Sequence, residues 1–96
     1  MSKISNNAAP TTTNANSLIS FIDKKFTDAC EQYTEAIFSC KISNANKAII
    51  YCNRSFASLK LEENQLALFD ALEAAKLDPT NVKGFYRKGQ AYVALR

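Results

Sequence analysis

Lys83 and Arg87 stand four residues apart, with Lys88 beside them and Arg96 beyond, in a stretch from Val82 to Arg96 that holds no acid. A spacing of four puts two side chains on one face of a helix. An ammonium point charge and a planar guanidinium fork would then project together, and Asn53 offers an amide donor of a kind that could join them. That set of donors suits a carboxylate. The preceding stretch, Glu62 to Asp78, holds five acids and one lysine, so the charge is segregated along the chain. The plainer reading of such a strip is a solvated basic helix face.

Other chemistries are excluded by what is missing. The chain has no histidine, which removes the commonest general base and the usual ligand of catalytic zinc. Cys30, Cys40 and Cys52 form no C-x-x-C pair, so no metal site is expected, and they read as reduced thiols behaving as small apolar residues. Gly84 and Gly89 are the only glycines, too few and too placed within one helix for a phosphate loop. Glu62-Glu63 reads as a solvated helix end. Asn53-Arg54-Ser55 matches a glycosylation acceptor but lies within a predicted helix. Tyr51, Phe85, Tyr86 and Tyr92 fall at helical spacing, as packing residues do, rather than as a platform for bases. The formal charge of +3 is too mild to imply nucleic acid or a membrane as partner. The longest apolar run, Ala48 to Cys52, is far short of the ~20 residues that span a bilayer. No signal-peptide pattern opens the chain, so the expected location is the cytoplasm, with the nucleus as a second possibility, and no cofactor is expected.

The elements that must position the cations follow from the apolar period. Ninety-six residues with 47% apolar content make one small domain. Residues 1–16 are polar, without an apolar period, and are expected to be a disordered lead-in; residues 17–96 form the domain. No stretch alternates with period two, so the fold is all-α. Five helices are expected. A short first helix carries Leu18, Ile19, Phe21 and Ile22, with Ser17 as its N-cap, and breaks at Asp23-Lys24-Lys25. The second runs from Phe26 to Cys40 and the third, after the polar link Ser43 to Asn46, from Ala48 to Leu61. The fourth runs from Leu66 to Leu77, where Asp78-Pro79 stops it. Thr80 or Asn81 caps the fifth.

The segments also repeat. With Ala48 as position 1 of a unit, the next unit begins at Val82, 34 residues later. Tyr51 then matches Phe85, Ala57 matches Ala91, Leu61 matches Leu95, and Pro79 falls at position 32. Looking back at an offset of 38 residues, Ala29 matches Ala67 and Ala36 matches Ala74. Period and residue types resemble the tetratricopeptide repeat (TPR). The resemblance implies a right-handed superhelix of antiparallel helix pairs, about two and a half repeats, with the third cut after its first helix. Small side chains at Ala57, Ala67, Ala74, Gly89 and Ala91 would let helices approach closely. The flank of the last helix, including parts of Tyr92 and Leu95, would stand uncovered, which makes a homo-oligomer one expected outcome.

In TPR domains the first helices of each pair line a concave groove. By that register Ile49, Cys52, Asn53, Phe56, Leu59 and Lys60 of the second unit and Lys83, Tyr86, Arg87, Gln90, Val93 and Ala94 of the third face it, and Asn53, Phe56, Lys83, Tyr86, Arg87 and Gln90 are the candidate peptide contacts. Asn53, Lys83 and Arg87 coincide with three of the five positions of the carboxylate clamp in co-chaperone TPR domains. Tyr51 to Ala57 with Leu59 to Glu63, and Val82 to Gly89, are similar to the second and third repeats of the phosphatase-5-type TPR region. Arg87-Lys88-Gly89 also resembles the suppressor-of-G2-allele co-chaperones. The implied function is a non-enzymatic adaptor for the acidic C-terminal peptide of a heat-shock chaperone of the 90- or 70-kDa class. The alternatives are a helical scaffold or dimerisation module, and a regulatory fragment of a serine/threonine phosphatase. One departure stands out. The two first-helix clamp positions are Asn14 and Leu18 here, which supply neither a charge nor, at Leu18, a hydrogen bond. Two lost partners of a charged ligand, at about 1.5–3 kcal/mol each, weaken binding by roughly two to four powers of ten.

Overall fold

Four α-helices follow one another: α1 (Ala15–Ile37), α2 (Asn44–Lys60), α3 (Asn64–Leu77) and α4 (Val82–Ala94). The computed structural model describes residues 15–39 and 41–96. Asn14, Cys40 and most of the expected lead-in lie outside the described residues; Ala15 and Asn16 are already helical. The expected first and second helices are one 23-residue helix, so there are four helices rather than five. Asp23-Lys24-Lys25 interrupts the apolar stripe without breaking the backbone. Lysine is a good helix former, and neither glycine nor proline occurs in α1. Lys24 instead pairs with Asp28 one turn on, at 3.3 Å, a pairing that supports a helix.

The other boundaries have local causes. Ser43 caps α2, its side chain accepting from the Asn46 N–H, so the expected polar link is already the first turn of that helix. Asn81 caps α4 by accepting from the Lys83 N–H at 3.0 Å. Glu62 takes φ 60°, the left-handed turn that folds α3 back after α2. Each helix packs on its chain neighbour, and α2 also touches α4, so these two lie side by side along one wall.

The core is made of small side chains. Ala48, Cys52, Ala57, Ala67, Ala71, Ala74 and Ala91 are buried, while Phe56, Phe69, Phe85 and Tyr86 stay partly exposed. Small residues at the crossings let helix axes come together, and the large rings fill the wedges at the edges. The tightest crossing is at Gly84, where an added Cβ would lie 3.2 Å from the Ala75 backbone nitrogen. Gly89, expected to be such a contact, has nothing within 4 Å of that position. Asp70 is fully buried in this apolar setting, and Arg54 reaches it with two parallel hydrogen bonds of 2.8 and 2.9 Å. The same guanidinium donates to Thr34 Oγ1 of α1 at 2.9 Å.

Candidate functional site

α2 and α4, running side by side, bring Asn53 and Lys83 to one concavity. It has a volume of about 330 Å³ and is lined by Ile49, Cys52, Asn53, Asn81, Val82 and Lys83. Asn81 belongs there because the cap that starts α4 stands two residues before Lys83 and accepts from its N–H. Arg87, one turn further along α4, is not in that lining. Its charge and that of Lys83 nevertheless both reach the Cys52 thiol, and both favour the thiolate. Burial opposes them and prevails, so the thiol titrates above its ordinary range.

Arg87 is held by an aromatic bed. Its guanidinium carbon lies 4.8 Å from the centre of the Phe56 ring and 5.4 Å from that of Tyr86. The Lys60 ammonium lies 5.3 Å from the same Phe56 ring, and Phe26 of α1 meets Phe56 edge-on at 6.1 Å. A cation over an aromatic face gains roughly 0.5–2 kcal/mol, more as water is excluded. Phe56 is therefore a support for cations as much as a packing residue. Arg87 also donates to Gln90 Oε1 at 2.7 Å, and Gln90 Nε2 donates to Tyr86 Oη at 3.5 Å. Its Nε–H is buried without an acceptor. None of the three ion pairs among the described residues uses a cation of α4.

The six candidate peptide contacts thus fall into two adjoining groups. Asn53 and Lys83 line the concavity, while Phe56, Tyr86, Arg87 and Gln90 form a linked cluster beside it. Leu18, at one of the two first-helix positions, is exposed on α1 and offers no donor. Lys60, which the register placed on the groove side with Phe56, is a second cation on that ring, as its spacing of four allows. Sequence reasoning missed Asn81 as a polar neighbour of Lys83. Asn81 was legible only as a cap. Among the described residues no group of acidic, cysteine or histidine side chains could hold a metal ion, and no helix is long and apolar enough to cross a membrane.

Comparison with known proteins gives relatives that share most of this chain. It is 39% identical to human serine/threonine-protein phosphatase 5 over 75 residues, 78% of this chain and 14% of that protein. It is 37% identical to mouse DnaJ homolog subfamily C member 7 over 65 residues, 68% of this chain and 13% of the relative. It is 40% identical to zebrafish unc-45 homolog B over 68 residues, 70% of this chain and 7% of the relative. The chain therefore spans a small fraction of the length of the curated relatives it matches. No family model matches, and no solved structure matches.

Proposed function

The chain belongs to the tetratricopeptide-repeat proteins, and on that premise we propose that it is a non-enzymatic adaptor whose α2–α4 wall binds the acidic C-terminal peptide of a heat-shock chaperone of the 90- or 70-kDa class, in the cytoplasm. The observation that carries this reading is the state of Arg87. Its guanidinium carbon lies 4.8 Å from the centre of the Phe56 ring, with a buried N–H that has no acceptor, one turn along α4 from Lys83, which shares a concavity with Asn53. A terminal carboxylate would pair with the Arg87 guanidinium, and the Lys83 charge and Asn53 amide would hold the acidic residues next to it. Phe56 and Tyr86 offer apolar contact for the peptide's side chains. Relatives named as a phosphatase and a DnaJ homolog fit an adaptor that lends one binding surface to different proteins.

Calorimetric titration with the C-terminal peptide of a 90-kDa heat-shock chaperone tests it, with free and amidated ends compared. The free acid binds, and affinity falls with salt. Lys83→Ala or Arg87→Ala each lowers affinity by about ten- to hundredfold, the size of a lost charged hydrogen bond. Binding that survives both substitutions together, or that ignores amidation, overturns the reading.

A further inference from the structure

Asn81 has four polar groups, and the fold ties three of them to backbone. Its N–H donates to the Asp78 carbonyl oxygen at 3.0 Å, and its own carbonyl accepts from the Gly84 N–H at 3.1 Å. Its side-chain Oδ1 accepts from the Lys83 N–H at 3.0 Å. Only the oxygen end of an amide can accept from an N–H, so this cap decides which way the amide is turned. The Nδ2 group, with two donor hydrogens, is what remains, and among the described residues it has no partner. Asn81 lines the concavity between α2 and α4 together with Asn53 and Lys83, and the other walls are Ile49, Cys52 and Val82. Two amides and an ammonium therefore meet in about 330 Å³ with no acid in the lining. Asp78, the nearest acid along the chain, is engaged elsewhere, accepting from the Thr80 N–H at 3.1 Å and its hydroxyl at 2.5 Å. No ion pair among the described residues takes Lys83.

We propose that Asn81 is a further peptide contact, its Nδ2 donating to the carboxylate that Lys83 and Asn53 hold. The contact rests on the peptide reading of the α2–α4 wall, and it adds a donor where α1 offers none at Leu18. The repeat register does not mark it, because Asn81 stands just before the first position of its unit, Val82. A carboxylate has about four lone-pair sites. One ammonium and one amide leave part of it unbonded against the apolar walls Ile49 and Val82, where an unbonded polar atom is costly. A third donor removes that cost. Asn81 is also held by its three backbone bonds, so it loses little freedom when a ligand arrives. Its oxygen is occupied, so it presents donors alone. An amide in place of the ligand's carboxylate would set its own N–H2 against them, and the concavity therefore discriminates between the two.

Calorimetry tests it with the C-terminal peptide of a 90-kDa heat-shock chaperone and with the same peptide after each carboxylate in turn is replaced by its amide. Asn81→Ser and Asn81→Asp keep a cap oxygen and remove the amide hydrogens. Serine, aspartate and asparagine cap about equally well, so both variants keep a thermal midpoint close to that of the wild type. Asn81→Ser weakens binding of the unmodified peptide about tenfold. Asn81→Asp adds a like charge and weakens it about a hundredfold, and the excess shrinks as salt is added. On the modified peptide that lacks the carboxylate of the concavity, Asn81→Ser costs nothing further, as expected for two groups in contact. In 15N-labelled protein the side-chain amide signal that disappears in Asn81→Ser moves when the unmodified peptide is added. Equal binding by wild type and the serine variant overturns this contact and leaves the peptide reading standing. So do costs that add on every modified peptide, or an amide signal that stays in place. A wild-type chain that binds none of the peptides removes both.

Discussion

At the scale of single residues, Cys52 reports on the proposed peptide wall from underneath. It is only 3% exposed, and its thiol is held above the ordinary range because burial disfavours the thiolate more than Arg87 and Lys83 favour it. Lys83→Ala with Arg87→Ala takes away the two charges of the described residues that act against burial, so the thiol moves further up. The sign for stability follows from the raised folded value. The neutral thiol is the form the fold prefers, so its contribution is full below the unfolded pKa and is lost as pH rises through the folded one. Thiolate absorbance in a Cys30→Ser, Cys40→Ser background measures this directly. The expected outcome is a Cys52 titration above that of a free thiol, displaced upward again in the double alanine variant. A curve that the two substitutions leave in place would mean that the cations do not face the sulfur, and the inner wall would lose its charge.

At the scale of helices, the two glycines of α4 make opposite predictions from one substitution. In a helix interior alanine is favoured over glycine by roughly 1 kcal/mol. Gly89→Ala meets open space and should therefore raise the thermal midpoint of the monomer, measured at low concentration. Gly84→Ala puts a methyl 3.2 Å from the Ala75 nitrogen and 3.4 Å from its Cα. Those are backbone atoms of a packed helix that cannot swing aside, and overpacking of this kind costs about 1–3 kcal/mol. The midpoint should fall, and a Gly84→Ala variant as stable as Gly89→Ala would show that the α3–α4 crossing is looser than described. The repeat register marked Gly89 as the close approach because position 8 is small in both units, Ser55 and Gly89. It could not show that the helix which presses on Ser55 has no counterpart over Gly89 among the described residues. Similar reasoning explains the other elements. Asp78-Pro79 and Asn81 marked the end of α3 and the start of α4 because each acts on its own backbone, whereas Ser17, expected as an N-cap, lies inside α1, and Ser43, read as part of a link, is the cap of α2. The Asp23-Lys24-Lys25 break failed because charges leave an apolar stripe without leaving a helix. Asn53, Lys83 and Arg87 were legible through the repeat register, whereas the stacking of Arg87 on Phe56 depends on the approach of α2 to α4, which sequence spacing does not encode.

At the scale of the whole molecule, the helices form a slab only 17 Å thick and 50 Å long, about two helix diameters deep. The small-residue core of such an array is spread along its helix crossings, so its stability is a sum of contacts between neighbouring helices. Arg54 is placed to couple these contacts, because from α2 it bonds Asp70 of α3 and Thr34 of α1 at once. The Asp70 side chain is fully buried and that of Arg54 is 13% exposed. Removing the arginine would therefore leave a carboxylate without its cation in an apolar setting. Breaking one side of such a pair costs about 3–5 kcal/mol, against a total stability of about 5–15 kcal/mol for a small domain. Arg54→Ala should therefore bring the chain close to unfolding, and α1 should lose order together with α3 in one transition. Arg54→Lys keeps the charge but loses the fork and should fall between. Arg54→Met combined with Asp70→Leu removes both charges and should recover most of the loss, since well-packed apolar replacements for a buried pair are often neutral or better. Urea titration followed by circular dichroism ranks the four proteins. If Arg54→Ala keeps the wild-type midpoint, water or another donor reaches Asp70, and the three helices are held by their small-residue crossings alone.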